Sequence, residues 1–390
     1  MITRLQARPR FALALGLPRL TGLWREPNFR HLWTAQLVSQ VGSDFSNLGI
    51  PLAAVLALNA RPADMGLLQA AQYVPVLLLS LIAGVWVDRF RKRRILITAD
   101  LGRAAVLLSV PVAAAFGALT LTQLYLVAFA VGCLGVFFDV AQVSYIPRIV
   151  PREQLIEANS KMEAGLAAAR LTGPSLAGGV IQIVTAPMAI VLDALSFVIS
   201  ALLIAPIRTP DQPQPRASRP QNLRADIAEG LRLLLGNPVL RPLAIGAGLM
   251  NLFVNVNLAL YALYLARDLS IEPFLIGVIL AVGGGGALAG AALAGALGRR
   301  WGLGTIFLAS TLVYGLSLLV VPIAGDLGSA AGPGWLPRAA LIATLAAARL
   351  ALVVSALLYR VNFDSLRQAM TPDGLQGRVN LSRTWDTATC

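Results

Sequence analysis

Hydrophobic residues in this chain neither alternate nor mark one face of otherwise polar helices; they come in ten long blocks separated by short polar stretches. The blocks lie at about 31–58, 65–87, 95–117, 122–146, 162–184, 187–206, 241–265, 273–297, 303–324 and 339–361. Each approaches or exceeds the ~20 residues a helix needs to cross a hydrocarbon core ~30 Å thick. A segment in lipid has to satisfy its backbone hydrogen bonds internally, so every block is predicted helical. Pro75, Pro111, Pro174 and Pro322 fall inside blocks and mark expected kinks. The pattern predicts an all-α polytopic membrane protein whose bilayer is its first partner.

Composition agrees. At 390 residues, 57% hydrophobic and 13% charged, with mean hydropathy +0.71, the chain is too apolar for a soluble protein of its length. The net charge of +13 brings nucleic acid to mind, but 26 of the 32 Lys/Arg residues fall in segments assigned to one side of the membrane. Arg61, Arg267 and Arg338 hold the opposite loops; Arg103, Arg170 and Arg349 lie within apolar blocks. This is the positive-inside asymmetry, so both termini are expected in the cytoplasm of a multi-pass plasma (inner) membrane protein, with no nucleic-acid partner. Two cysteines, Cys133 and Cys390, make no disulfide framework. The run Phe11 to Leu17 follows three arginines but is short and interrupted by Pro18, so it reads as a lead-in rather than a signal peptide.

The chain repeats itself. Gly84-Val-Trp-Val-Asp88-Arg89-Phe-Arg91-Lys92-Arg93-Arg94 after the second block returns in degraded form 211 positions on, as Gly295-Ala-Leu-Gly-Arg299-Arg300-Trp-Gly302. The segment from Leu23 to Leu32 before the first block matches Leu234 to Leu243 before the seventh at the same offset. Pro151 to Asn159 resembles Pro372 to Asn380, ten positions further out of register, and the extra residues are expected in a loop from Ala324 to Pro337. Duplicated bundles are the mark of transporters. The expected organisation is a cytoplasmic segment 1–30, a six-helix bundle 31–207, a cytoplasmic linker 208–238 and a second bundle 239–390. The linker contains the Pro-rich run 210–220 and an amphipathic helix around Leu223, Ile227, Leu231 and Leu234 on the membrane surface. By the repeat, the second bundle holds four helices and lacks counterparts of the fifth and sixth, so an inactive fragment of a transporter is a competing reading.

These residues resemble the major facilitator superfamily, whose signature after the second helix is Gly-x-Leu-Ala-Asp-Arg-x-Gly-Arg-Lys. Gly84, Asp88, Arg89, Lys92 and Arg93 fill the matching places, and Arg91 stands where glycine is usual. Asp88 to Leu96, Asp100 to Arg103 and Pro151 to Asn159 are most similar to the branch of enterobactin and macrolide exporters. The resemblance implies two pseudo-symmetric bundles rocking about a central cavity. It further implies that the motif acts as a conformational latch, its aspartate pairing with the N-terminus of the eleventh helix. A merely topological basic loop is the alternative. Gly173-Pro174 with Gly178 resembles the exporters' fifth-helix Gly-Pro motif, with close helix packing as the alternative. The run Gly283 to Gly286 has no Lys-Ser/Thr ending and is read as packing, not as a phosphate loop.

Polar residues at membrane depth are costly and should face water. On the first helix Gln36, Gln40, Ser43 and Asn47 form a stripe with Asp44 at its edge. Asn251 corresponds to Gln40 in the repeat, and Asn255 follows one turn later; Gln72, Asp139 and Gln142 add candidates for the cavity lining, Gln69 beside Gln72. Hydrogen bonding between helices is the alternative. Asp44, Asp139 and Asp193 are candidate sites for a coupling proton. Asp100 and Arg103, three apart on one helix, suit an internal ion pair. Arg170 and Arg349 either meet an anionic substrate or neutralise carboxylates. His31 is read as interfacial.

With one histidine, two cysteines and no metal-ligand spacing, a membrane-embedded enzyme has little to work with. The reading is a monomeric secondary exporter, without cofactor or metal. It moves a drug-like or siderophore-like small molecule by alternating access, with protons as the candidate coupling ion. Export is implied by the resemblance alone.

Overall fold

The computed structural model describes residues 22–208, 240–330 and 335–370. The expected linker run 210–220, the amphipathic helix around 223–234 and the repeat copy 372–380 lie outside the described residues. Ten α-helices are found among them: α1 (Pro27–Leu58), α2 (Pro62–Asp88), α3 (Lys92–Ala115), α4 (Leu121–Ile149), α5 (Leu155–Ile183), α6 (Ala186–Ile204), α7 (Leu240–Leu263), α8 (Pro273–Trp301), α9 (Leu303–Ala330) and α10 (Trp335–Met370). By length and composition, seven of these are apolar enough to cross a membrane.

Local chemistry sets the helix ends. Proline opens α1 and α2 at the first helical position, where a missing N–H costs nothing. The Arg61 backbone N–H donates to the Asp64 carboxylate at 2.8 Å, and the Thr120 hydroxyl accepts from the Gln123 N–H at 3.2 Å. Asn59, at φ 51°, closes α1 in the left-handed conformation that asparagine tolerates. The helices run unbroken through Pro51, Pro75, Pro111, Pro147, Pro174 and Pro322. The expected loop from Ala324 is instead mostly helix. α9 continues to Ala330 and α10 begins at Trp335, because alanine and leucine sustain a helix that the glycines only weaken.

Short connections alternate the helix direction within each set, and Leu263 at the end of α7 shares a core with Met65 and Leu68 at the start of α2, so odd-numbered helices start at the end that carries residues 89–94, the basic end. In the first six helices, α1 packs on α5 and α6, α3 on α4 and α6, and α2 on α4; in the second set α8 and α9 pack on α10. The sets meet mainly through α5 against α8, with smaller contacts of α7 against α1 and α2.

The cores show where the sets touch. Near the basic end, one cluster of Leu23, Phe29, Leu32, Val87, Leu96, Phe138, Tyr145, Met162, Ile204 and their neighbours draws only on residues before 208. At the opposite end another joins Phe45, Leu52 and Ile181 of the first set to Tyr261, Leu265, Ile276, Val321 and Leu345 of the second. Leu263 likewise packs with Met65 and Leu68. Polar bonds follow the same division: Arg267 donates to the Ala60 carbonyl at 3.4 Å, and the Phe274 N–H donates to Gln182 Oε1 at 3.2 Å. The described contacts between the sets are thus concentrated at the end away from the basic motif.

Candidate functional site

The fifth and eighth helices approach at backbone distance, and glycine is the reason. A Cβ on Gly277 would meet the Pro174 carbonyl group, one on Gly178 would meet the Pro273 carbonyl, and one on Gly284 would come within 2.6 Å of the Arg170 carbonyl oxygen. The other side of α8 does the same to α10. A Cβ on Gly286 would lie 2.9 Å from the Leu350 carbonyl oxygen, and one on Gly290 3.1 Å from that of Val354. Small residues spaced along both faces let α8 serve as the seam between the sets. Gly178 and Pro174 therefore stand at the seam itself.

On α1 the sequence stripe is also a structural one. Gln36, Gln40 and Ser43 are half-buried and Asn47 is exposed, whereas Ala35, Ser39, Gly42, Phe45, Ser46 and Gly49 are buried toward neighbouring helices. Gln72 Nε2 of α2 donates to Asn47 Oδ1 at 3.4 Å, joining two of the proposed lining residues. Asp44 turns from the stripe toward α5. Its carboxylate lies against Gly173, within electrostatic reach of Arg170 and Asp193 and beside Asn47.

Behind the stripe sits a compact charge network. Asp100, fully buried, is ion-paired with Arg103 of the next turn. The Arg103 guanidinium is sandwiched between the rings of Phe138 and Phe197, 4.3 Å and 4.1 Å from their centroids, an arrangement that favours a delocalised cation. Asp193 of α6, 1% exposed, accepts from the Ser196 hydroxyl at 3.3 Å and has Ser46, Arg103 and Asp100 around it. Gly42 leaves the space for Asp193 and Ser196. Asp139 of α4 is exposed but lies in electrostatic reach of Arg103 and Asp100, and Gln142 is half-buried one turn along. The structure thus brings Asp44, Asp100, Arg103, Asp139, Arg170 and Asp193 into one connected neighbourhood of the first set.

The basic motif is anchored rather than loosely solvated. Arg89, Arg91 and Arg94 are exposed, but Lys92 is 1% exposed in the first turn of α3. The Arg93 guanidinium donates to the Ala205 carbonyl at the end of α6. A Cβ on Gly84 would meet nothing within 4 Å, so packing does not dictate that glycine. The side chains of Asp88 and Asn251 lie outside the described set. Asn255 of α7 is half-buried.

Arg349 of α10 belongs to a different neighbourhood. Its guanidinium lies 5.5 Å from the centroid of the Tyr261 ring of α7, Tyr314 of α9 is close by, and Gly283 makes room for it. Sequence inspection missed these tyrosines, along with Ser46, Phe138, Phe197 and Gly277. Their only signal was a polar or aromatic atom inside an apolar block, which by itself does not name a partner.

Comparison with known proteins places the architecture. A family model described as transmembrane secretion effector matches residues 22–373. The multidrug efflux pump Tap of Mycobacterium tuberculosis is 30% identical over 311 residues, covering 76% of this chain and 72% of that protein. The uncharacterized MFS-type transporter YfiS of Bacillus subtilis is 27% identical over 303 residues, covering 77% and 71%. Among solved structures, the nucleoside transporter NupG superposes with a TM-score of 0.73 at 10% identity, covering 93% of this chain and 87% of that one. A bacterial homologue of the iron transporter ferroportin gives 0.66 at 17%, covering 95% and 90%. At such identities these two likenesses speak to the fold.

Proposed function

Because this chain belongs to the transmembrane secretion effector family of the major facilitator superfamily, we propose that it is a secondary active transporter that exports an amphipathic small molecule by alternating access. The observation that carries this reading is the uneven seam. Among the described residues, the two helix sets are sealed together by apolar packing at one end, while the apolar cluster at the basic end is drawn from the first set. One closed and one open end is what an alternating-access protein requires, and a glycine-lined seam lets one set rotate on the other without filling or emptying large volumes. Read by the positive-inside rule, the basic end lies in the cytoplasm, which makes this conformation inward-facing, and the bacterial relatives favour the plasma membrane as host. The half-buried polar stripe of α1, with Gln72 and Asn255, lines the water-filled path.

In this reading 31–207 and 239–390 move as bodies joined by the 208–238 linker, and the protein works as a monomer. Asp44 and Asp193 supply the carboxylates on which a coupling proton can reside. Arg170 beside Asp44 gives the released carboxylate a counter-charge, and Gly173 lies at the contact between that carboxylate and the moving seam. The relatives named as multidrug efflux pumps favour a drug-like cargo moving outward.

The test is accumulation of a panel of fluorescent amphiphiles in cells producing the full chain. Lower accumulation than in cells producing Asp44→Asn at equal membrane abundance is the expected result. Equal accumulation of every compound in both strains overturns the proposal.

A further inference from the structure

We infer that the cargo carries an anionic group, and that this group docks on Arg349 between Tyr261 and Tyr314. The inference deepens the transport reading and rests on it.

Depth comes first. Arg349 stands fourteen residues into α10, about 21 Å along the helix axis from Trp335 at 1.5 Å per residue. That is well inside a hydrocarbon core ~30 Å thick, where an arginine needs a partner or a wet cavity. Among the described residues, neither a carboxylate nor a carbonyl is bonded to it. Arg349 Nε is withdrawn from solvent with no hydrogen-bond partner, and the hydroxyl of Tyr261 is buried in the same condition. The charged and titratable groups that act on Arg349 are Tyr261 and Tyr314.

The contrast with the first helix set is chemical. There, Arg103 has Asp100, and Arg170 lies beside Asp44. In the second set the acids among the described residues are Asp268, Glu272, Asp326 and Asp364. Asp268 and Glu272 flank the turn between α7 and α8 at the membrane end. Asp326 is twelve residues beyond Tyr314 on α9 and Asp364 fifteen beyond Arg349 on α10, separations of about 18 Å and 22 Å along their helices. None of these shares the depth of Arg349.

What results, among the described residues, is a planar guanidinium with no anionic partner, beside one phenolic hydroxyl with an uncommitted proton and a second phenol. Such a cluster is complementary to a carboxylate, a phenolate or a phosphate, which accept several charge-assisted hydrogen bonds at once. It repels a simple lipophilic cation. The flanking rings, with Val353 against the same glycine, suit a hydrophobic body attached to the anion. Arg349 is half-buried as a residue, while Tyr261 and Tyr314 are buried. The cargo class is therefore an amphipathic organic anion, or a zwitterion presenting its negative end to α10.

The experiment uses the full chain in phosphatidylcholine nanodiscs, with fluorescence anisotropy of 1-pyrenebutyrate and of 1-pyrenemethylammonium, which share a body and differ in charge. The wild type is expected to prefer the carboxylate. Arg349→Gln should weaken that probe about tenfold or more, the loss of one hydrogen bond to a charged group, and leave the ammonium probe unaffected. Arg349→Lys, which keeps the charge and guards against misfolding, should retain part of the preference, and Tyr261→Phe should lose part. No preference in the wild type, or equal pyrenebutyrate affinity with glutamine at 349, overturns the inference. Loss of probe binding in discs enriched in phosphatidylglycerol would assign the guanidinium to a lipid headgroup and overturn it as well. Efflux of a cationic compound together with pyrenebutyrate binding that ignores residue 349 sinks the anion assignment while leaving transport intact. Anion binding through Arg349 without efflux of any compound does the reverse.

Discussion

The carboxylate of Asp44 on α1 lies in the notch left by Gly173 on α5: a Cβ at 173 would sit 2.9 Å from its Cγ and 3.2 Å from its Cβ. One glycine thus sets both the spacing of two helices and the position of a carboxylate at the centre of the proposed path. Gly173→Ala should displace Asp44 and overpack the contact, costing about 1–3 kcal/mol. The expected result is a lowered melting temperature in detergent and reduced efflux; an unchanged melting curve with full efflux would show the notch to be dispensable.

At the seam, Gly277→Val puts a branched side chain against the Pro174 carbonyl and the Cα of Gly178. Here backbone is the obstacle and cannot rotate away, so the helix sets must separate at the end opposite the basic motif. Crosslinking between cysteines introduced at Gln182 and Phe274, whose groups now hydrogen bond, should fall sharply in this variant. Undiminished crosslinking counts against the seam.

The Asp100–Arg103 pair is buried under Phe138 and Phe197, so losing one partner strands a charge. Arg103→Leu should destabilise by about 3–5 kcal/mol, whereas Asp100→Leu combined with Arg103→Leu should recover much of that loss. A double-mutant cycle on thermal unfolding checks this, and additive losses would contradict the pairing.

Arg93 ties the start of α3 to the end of α6 through the Ala205 carbonyl. A charge-assisted bond at a half-buried site is worth about 1.5–3 kcal/mol. Arg93→Gln is expected to lower thermal stability, while Arg94→Gln, at an exposed position, should leave it nearly unchanged. Equal effects would return the motif to a purely topological role.

Much of the helix count and order was legible in the sequence, because lipid imposes length and hydrophobicity on every spanning segment. The α1 stripe was legible for the same reason: Gln36, Gln40, Ser43 and Asn47 cannot all face lipid. Partners across the bundle were not. Nothing local links Arg93 to Ala205 or Asp44 to Gly173, since these contacts arise only when helices more than a hundred residues apart pack together. The glycines of α8 announced close packing, but not that one face meets α5 and the other α10. The ends of α9 and α10 were misjudged because glycine and polar residues signal a loop in water, yet a helix already formed in the membrane propagates past them. Which end of the two sets packs together was not legible, since apolar residues fill both ends of every block.

The most direct test of alternating access is a pair of distance measurements by electron spin resonance on the full chain, with both native cysteines replaced by serine. One pair of labels goes at the exposed Arg61 and Glu272, the other at the exposed Arg94 and Arg300. On addition of an exported compound, the first distance is predicted to lengthen as the second shortens. Distances that both stay fixed, or change in the same direction, would contradict the account.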